Sequence, residues 1–308
     1  MKHNLNTDIN KSIDEYTLCR LIPTTAQLHI FAEKLSKNDT FKNRSEAIDY
    51  IISNWDFKLF SEFIQEEINY KDVDGKYIHP KKLQMINSTK NYQKKLKEYK
   101  DEFGSFEFDN YLSGNNFENK LNQLRRSDKL SWSDKMSEFQ EESKKAFWIY
   151  EINQLRNDAI ESIIVNFFPE RVLPTLKNIS GVDFYIDGIA YDVKTSRSIG
   201  TEFVKEITGK KSDITDTDFT NALTVAKNKK GLVSKSLFEN QSLSRFSNNK
   251  LQNKLYVISE KRNQFPTLSE ITQSIVNLDL DNPNNISANI DVHQEILNIN
   301  FKSFELFI

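Results

Sequence analysis

Gly181-Val182-Asp183-Phe184-Tyr185-Ile186-Asp187-Gly188-Ile189-Ala190-Tyr191-Asp192-Val193-Lys194-Thr195-Ser196 is the stretch on which the fold turns. Asp-Gly between two runs of β-branched and aromatic residues predicts a two-residue hairpin joining strands 182–186 and 189–195. That turn sets the register: Ile186 faces Ile189, Tyr185 faces Ala190, Phe184 faces Tyr191, and Asp183 faces Asp192. Strand alternation then sorts the side chains. Val182, Phe184, Ile186, Ile189, Tyr191 and Val193 make one wholly apolar face, which is the expected core side. Asp183, Asp192 and Lys194 lie on the other, with Tyr185, Asp187 and Ala190. Two facing carboxylates would sit with Cβ atoms about 4.5–5.5 Å apart, which is unfavourable for like charges. A divalent cation would turn that repulsion into coordination, with the Lys194 ammonium beside it. The bland alternative is a solvent-exposed face of a structural sheet.

Acid-x-Lys triplets are common in this chain. Six occur, beginning at Asp56, Asp74, Glu98, Glu118, Glu142 and Asp192. Only the last falls on an expected strand with a facing acid and a preceding amphipathic helix. That helix is expected from 149 to 168, with Ile152, Leu155, Ala159, Ile160, Ile163, Ile164 and Phe167 as its buried stripe. Beyond the hairpin a helix is expected over about 218–237, a strand over 254–259, a helix near 267–278 and one or two strands in 287–308. The Asn-Pro-Asn-Asn run at 282–285 reads as a surface turn. The whole is a mixed α/β pattern around one sheet.

Toward the N-terminus the reading becomes helical. Residues 57–150 look helical and charged, with a loop around 104–116. Lys71–Lys100 holds nine Lys against three acids, and Asp101–Lys120 five acids against one Lys. These are either two solvated faces pairing with each other or a surface that follows phosphates. Residues 16–56 read as a compact unit: an extended piece from Tyr16 to Ile22 ending at Pro23, a helix carrying Leu28, Phe31 and Leu35, and a second helix carrying Ala47, Ile48, Ile51, Ile52 and Trp55. Asn43 and Glu46 suggest a capping-box start for that second helix.

Composition narrows the chemistry. The 308 residues are enough for about two domains, and 22 Phe and 11 Tyr can build their cores. With one cysteine, Cys19, no internal disulfide can form, as expected of a reducing, cytoplasmic compartment. Four scattered histidines argue against a His-rich zinc site or a His-based triad. Metal chemistry would therefore use oxygen ligands and a hard cation. The mean hydropathy of −0.61 and the lack of a long apolar run argue against a membrane span. No Gly-x-x-x-x-Gly-Lys-Ser/Thr run is present, so no nucleotide cofactor is expected. The formal charge of −2 averages over opposed local excesses, since Lys205–Arg262 holds twelve Lys and Arg against six acids.

At the hairpin the sequence resembles the PD-(D/E)XK nuclease superfamily, over roughly residues 149–260. That family places an Asp on one strand and an acid-x-Lys on the next, after a helix that can carry a further Glu. The resemblance implies a restriction-endonuclease-like α/β fold, a mixed sheet flanked by helices, with a mainly α-helical N-terminal region. Asp183 and Asp192 would be metal ligands, joined by the carbonyl of Val193 and by Glu161, with Asp158 in reserve. Lys194 would orient or activate the water. Val182 stands where many members have Pro. The implied chemistry is Mg²⁺-dependent hydrolysis of phosphodiester bonds, with Mn²⁺ as a substitute. The expected activity is that of a Type II restriction endonuclease cutting double-stranded DNA. A repair, junction-resolving or defence nuclease, or a non-catalytic DNA-binding protein, remains the alternative.

Residues 16–56 resemble, more weakly, the ribbon-helix-helix DNA-binding fold, which would make the protein a homodimer and give Arg20, Arg44 and Ser45 as DNA contacts. Ser196, Arg197, Lys227, Lys229 and Lys230 are the expected contacts near the hairpin. The expected organisation is a recognition or dimerisation unit over 1–60, a charged helical region over 61–146, and a catalytic domain over 147–308.

Overall fold

The structure is a computed structural model that describes residues 2–4, 11–37, 39–108, 114–179, 182–196, 198–240, 253–292 and 295–308. Its centre is a mixed sheet, seven-stranded among the described residues. β2 (Val172–Ile179), β3 (Val182–Ile186) and β4 (Ile189–Ser196) form an antiparallel meander. β5 (Asn253–Ile258) runs parallel to β4, and β7 (Glu295–Phe307) runs parallel to β5. β6 (Asn284–Val292) lies antiparallel along the other edge of β7. The short β1 (Lys2–Asn4) pairs with β7 at Asn298–Asn300, on the edge that β5 occupies further along.

The hairpin has the register that its turn dictates. Ile186 pairs with Ile189, Tyr185 with Ala190 and Phe184 with Tyr191. Asp187 and Gly188 both take positive φ, 47° and 79°, as a two-residue turn matched to strand twist requires. Arg171 clamps the turn with two hydrogen bonds to the Asp187 carboxylate.

Helices cover both faces of the sheet. On one face, α5 (Pro80–Phe103), α7 (Trp132–Phe167) and α11 (Leu268–Val276) pack Tyr92, Leu96, Ile152, Ile160 and Ile271 against Phe184, Tyr191, Leu255 and Phe304. On the other face two clusters lie side by side. The first joins α1 (Glu15–Leu21), α2 (Thr25–Ser36), α3 (Arg44–Ser53) and α4 (Phe57–Asn69) to Leu173, Tyr185 and Ala190. The second joins α8 (Thr201–Thr208), α9 (Asp216–Asn228) and α10 (Leu232–Glu239) to Tyr256, Ile258 and Phe301. α6 (Gly114–Arg126) packs on α7.

Several sequence expectations need correction. The piece from Tyr16 to Ile22 is a helix over Glu15–Leu21, not a strand. Asp14 caps it by accepting the Thr17 N–H at 2.6 Å, and Leu18, Leu21 and Ile22 are buried at helical spacing. The ribbon-helix-helix likeness loses its ribbon, and Arg20 loses its place as a groove reader on that ribbon. Asn43 does cap α3, but Glu46 turns its carboxylate to the N–H of Lys42, so the box is not closed on the cap residue. The expected helix over 218–237 is two helices broken at Gly231, whose φ is 88°. A strand through Pro174 was not expected, and Phe167, assigned to the buried stripe of α7, is about half exposed. Asn284 and Asn285, read as turn residues, open β6. Val182 packs with Tyr185 and Ala190 rather than with Phe184, beside a register irregularity between Pro174 and Ile179 in the β2–β3 pairing. The basic face of α5 pairs in part with acids, Lys97 with Asp101 and Lys95 with Glu151, while Lys144 of α7 takes Glu102.

Candidate functional site: an acid–lysine cluster on the central hairpin

Much of the second face of the hairpin is closed to water. Tyr185, Ala190 and Asp192 are 2%, 8% and 3% exposed, and the helices α1–α4 pack over Tyr185 and Ala190. By strand parity Asp192 and Lys194 follow Ala190 along β4, and Lys254 precedes Tyr256 along β5. The polar cluster therefore occupies the seam between the two apolar clusters of that face.

Asp192 engages both of its oxygens. Oδ1 accepts from Lys194 Nζ at 2.6 Å and Oδ2 from Lys254 Nζ at 2.6 Å. Lys254 is the residue opposite Asp192 in the parallel β4–β5 register and is fully buried. Burial pulls its ammonium below the ordinary lysine range, against the opposing pull of Asp192. Lys194 differs from it in exposure, with about half of its side chain (46%) in contact with solvent.

Asp183 stands at the entry of β3. Its Oδ2 accepts the Val193 backbone N–H at 2.7 Å, so its carboxylate lies across the strand from Asp192 and one residue beyond it. Burial raises its carboxyl above the usual range; the Val193 N–H opposes the shift and the Asp192 charge adds to it. Glu161, on α7, is ion-paired with Lys81 of α5, and the two side chains are 14% and 6% exposed. Burial raises the Glu161 carboxyl as well, Lys81 counteracts, and the charges of Asp183 and Asp158 push it further up. Asp158 is raised by burial and steadied by Lys81 and Gln84. Asp183 thus stands between two charged groups, Asp192 with Lys194 and Lys254 on the sheet, and Glu161 with Lys81 and Asp158 on the helices.

The candidates chosen for DNA contact are dispersed. The Arg20 side chain and all of Arg197 lie outside the described residues. Arg44 is exposed, but its guanidinium donates to Thr25 Oγ1 and Cys19 Sγ; Ser45 is exposed beside it in the first turn of α3. Ser196 donates to the Ser198 carbonyl at 2.6 Å. Lys227 pairs with Glu260, while Lys229 and Lys230 are exposed at the break between α9 and α10. A cavity of about 740 Å³ opens past the carboxyl ends of β4 and β5, lined by Ser198, Ser259, Phe219, Arg262 and Asn263 among others, and excludes the hairpin acids.

Two members of the cluster were missed from the sequence, Lys81 and Lys254. Lys254 left a faint signal: it stands near the start of a mainly apolar strand with the same parity as Tyr256. Lys81 left none, since it sits among eight other lysines between 71 and 100.

The donors suit a hard cation in kind, being carboxylate oxygens without His or Cys. Among the described residues no three acids, histidines or cysteines gather around one point, and the cations balancing the carboxylates here are ammonium groups. Asp183 and Glu161 each use one oxygen in the contacts above. Comparisons with protein-family models, curated proteins and solved structures find no match for this chain.

Proposed function

We propose that the protein is a metal-dependent DNA endonuclease, of restriction type, whose centre is the hairpin cluster. The observation that carries this reading is the placement of Asp183 beside the Asp192-x-Lys194 triplet on two adjacent strands, with Glu161 of the preceding helix near enough to Asp183 for their charges to interact. It supports the resemblance stated from the sequence, because a purely structural sheet gains nothing from withdrawing neighbouring carboxylates from water.

In this reading Asp183, Asp192 and Glu161 would hold Mg²⁺, with Mn²⁺ as a substitute and the carbonyl of Val193 as a further donor. The bound ion would generate hydroxide near neutral pH and stabilise charge at the phosphate. Lys194, whose side chain is about half in solvent, would hold the attacking water and favour its deprotonated form. Ser196, at the end of the same strand, and the lysines at the α9–α10 break are the proposed phosphate contacts. Two copies acting on a duplex remain part of the proposal, although the ribbon that suggested dimerisation is a helix.

Incubation of the purified protein with mixed duplex DNA and Mg²⁺ tests the reading. Discrete fragments with uniform ends support restriction, whereas smearing or junction-specific cuts favour a repair or defence nuclease. One observation favours a second reading, a non-catalytic DNA-binding protein: both Asp192 oxygens are already neutralised by lysines. Absence of cleavage with Mg²⁺ and Mn²⁺, with DNA binding unchanged in Asp192→Ala, would select it.

A further inference from the structure

The two lysines on Asp192 are alike in distance and unlike in everything else. Lys254 Nζ is 2.6 Å from Oδ2, its side chain is 0% exposed, and it comes from the neighbouring strand at the paired position. Lys194 Nζ is 2.6 Å from Oδ1, but its side chain is 46% exposed and belongs to the same strand two residues on. An exposed ammonium exchanges its partner for water at little cost, because solvent takes over its solvation. A fully buried one cannot leave without stranding a charge.

We infer that Asp192 is a divided carboxylate: Lys254 is a positioning residue and permanent counter-ion that fixes Oδ2, and Oδ1, held only by the exchangeable Lys194, is the oxygen presented to an incoming cation. Lys254 neutralises Asp192 from the neighbouring strand, so this carboxylate is balanced without a metal. It also competes with any cation that arrives. The identity of that cation rests on the nuclease reading; the division of labour between the lysines does not.

The test compares the thermal stability of wild type, Lys194→Met, Lys254→Met and the double variant Asp192→Asn/Lys254→Met, each in EDTA and in millimolar Mn²⁺. In EDTA, Lys254→Met should lower the melting temperature by about 10 °C, as expected for an uncompensated buried charge in a chain of this size. Lys194→Met should lower it by no more than about 2 °C. The double variant should recover part of the Lys254→Met loss, since it also removes the stranded carboxylate. This arm keeps the test decisive if Lys254→Met alone fails to fold. Mn²⁺ should raise the melting temperature of Lys254→Met more than that of wild type, because the metal supplies the missing positive charge. A lysine serving only as packing would give no such difference. Equal losses for the two lysine variants, no recovery in the double variant, or an equal Mn²⁺ gain would each overturn the inference even if wild type cuts DNA. Failure of wild type to cut DNA, with the melting pattern as expected, would instead remove the nuclease reading and leave the division intact.

Discussion

Replacing Lys81 by Met keeps most of the side-chain stem and removes the cation paired with Glu161. The pair is well buried, at 6% and 14% exposure, and Asp158 and Asp183 also feel the Lys81 charge. Removing one partner of a buried pair generally costs about 3–5 kcal/mol. Glu161 can limit that loss by taking a proton, and each pH unit between its pKa and the solution is about 1.4 kcal/mol. Its carboxyl is already raised by burial, and loss of Lys81 removes the strongest influence holding it down. A carboxyl raised on folding binds more protons folded than unfolded. Its contribution to stability is therefore fullest below the unfolded pKa and is lost as pH rises through the folded one. The variant should lose about 3 kcal/mol at pH 8 and about 1 kcal/mol at pH 5. Urea unfolding followed by circular dichroism, in EDTA at both pH values, measures the difference. A loss independent of pH, or larger at pH 5, would refute the placement of Glu161 as a buried acid dependent on Lys81.

Asp183→Asn should abolish Mg²⁺-dependent cleavage and weaken Mn²⁺ binding seen by calorimetry, whereas Lys194→Ala should spare metal binding and remove turnover. Gly188→Val, forced to a φ of 79°, should lose about 1–2 kcal/mol in chemical denaturation. Gly231→Ala should lose about 1–3 kcal/mol, because φ is 88° there and its new Cβ would lie 2.7 Å from Ile286 Cδ1. Joint replacement of Lys227, Lys229 and Lys230 by Ala should reduce the slope of log affinity against log salt by up to about 3 in DNA titrations. An unchanged slope would place the phosphate contacts elsewhere.

The hairpin was legible because everything that determines it is local. Asp187-Gly188 needs positive φ at both residues, that turn sets the register, and the register puts Asp192 and Lys194 on one face. The α7 stripe was legible for the same reason, through its 3.6-residue period, and Glu161 stood beside it. Short segments were less legible. Seven residues from Glu15 to Leu21 carry about two helical turns, too few for a period to separate helix from strand. Burial of Leu18 and Leu21 against α2–α4 and the sheet decided that segment.

By itself the sequence determined the mixed α/β class, the hairpin register and the acids it displays, since turn chemistry and side-chain period act over a few residues. Only the tertiary structure decided what neutralises those acids. Lys254 meets Asp192 across 62 residues and Lys81 meets Glu161 across 80. Such pairs form because the sheet register brings Lys254 to Asp192 and the α5–α7 packing brings Lys81 to Glu161, each at a place withdrawn from water where a charge must find a partner. No local pattern records that requirement, because desolvation is a property of the assembled core.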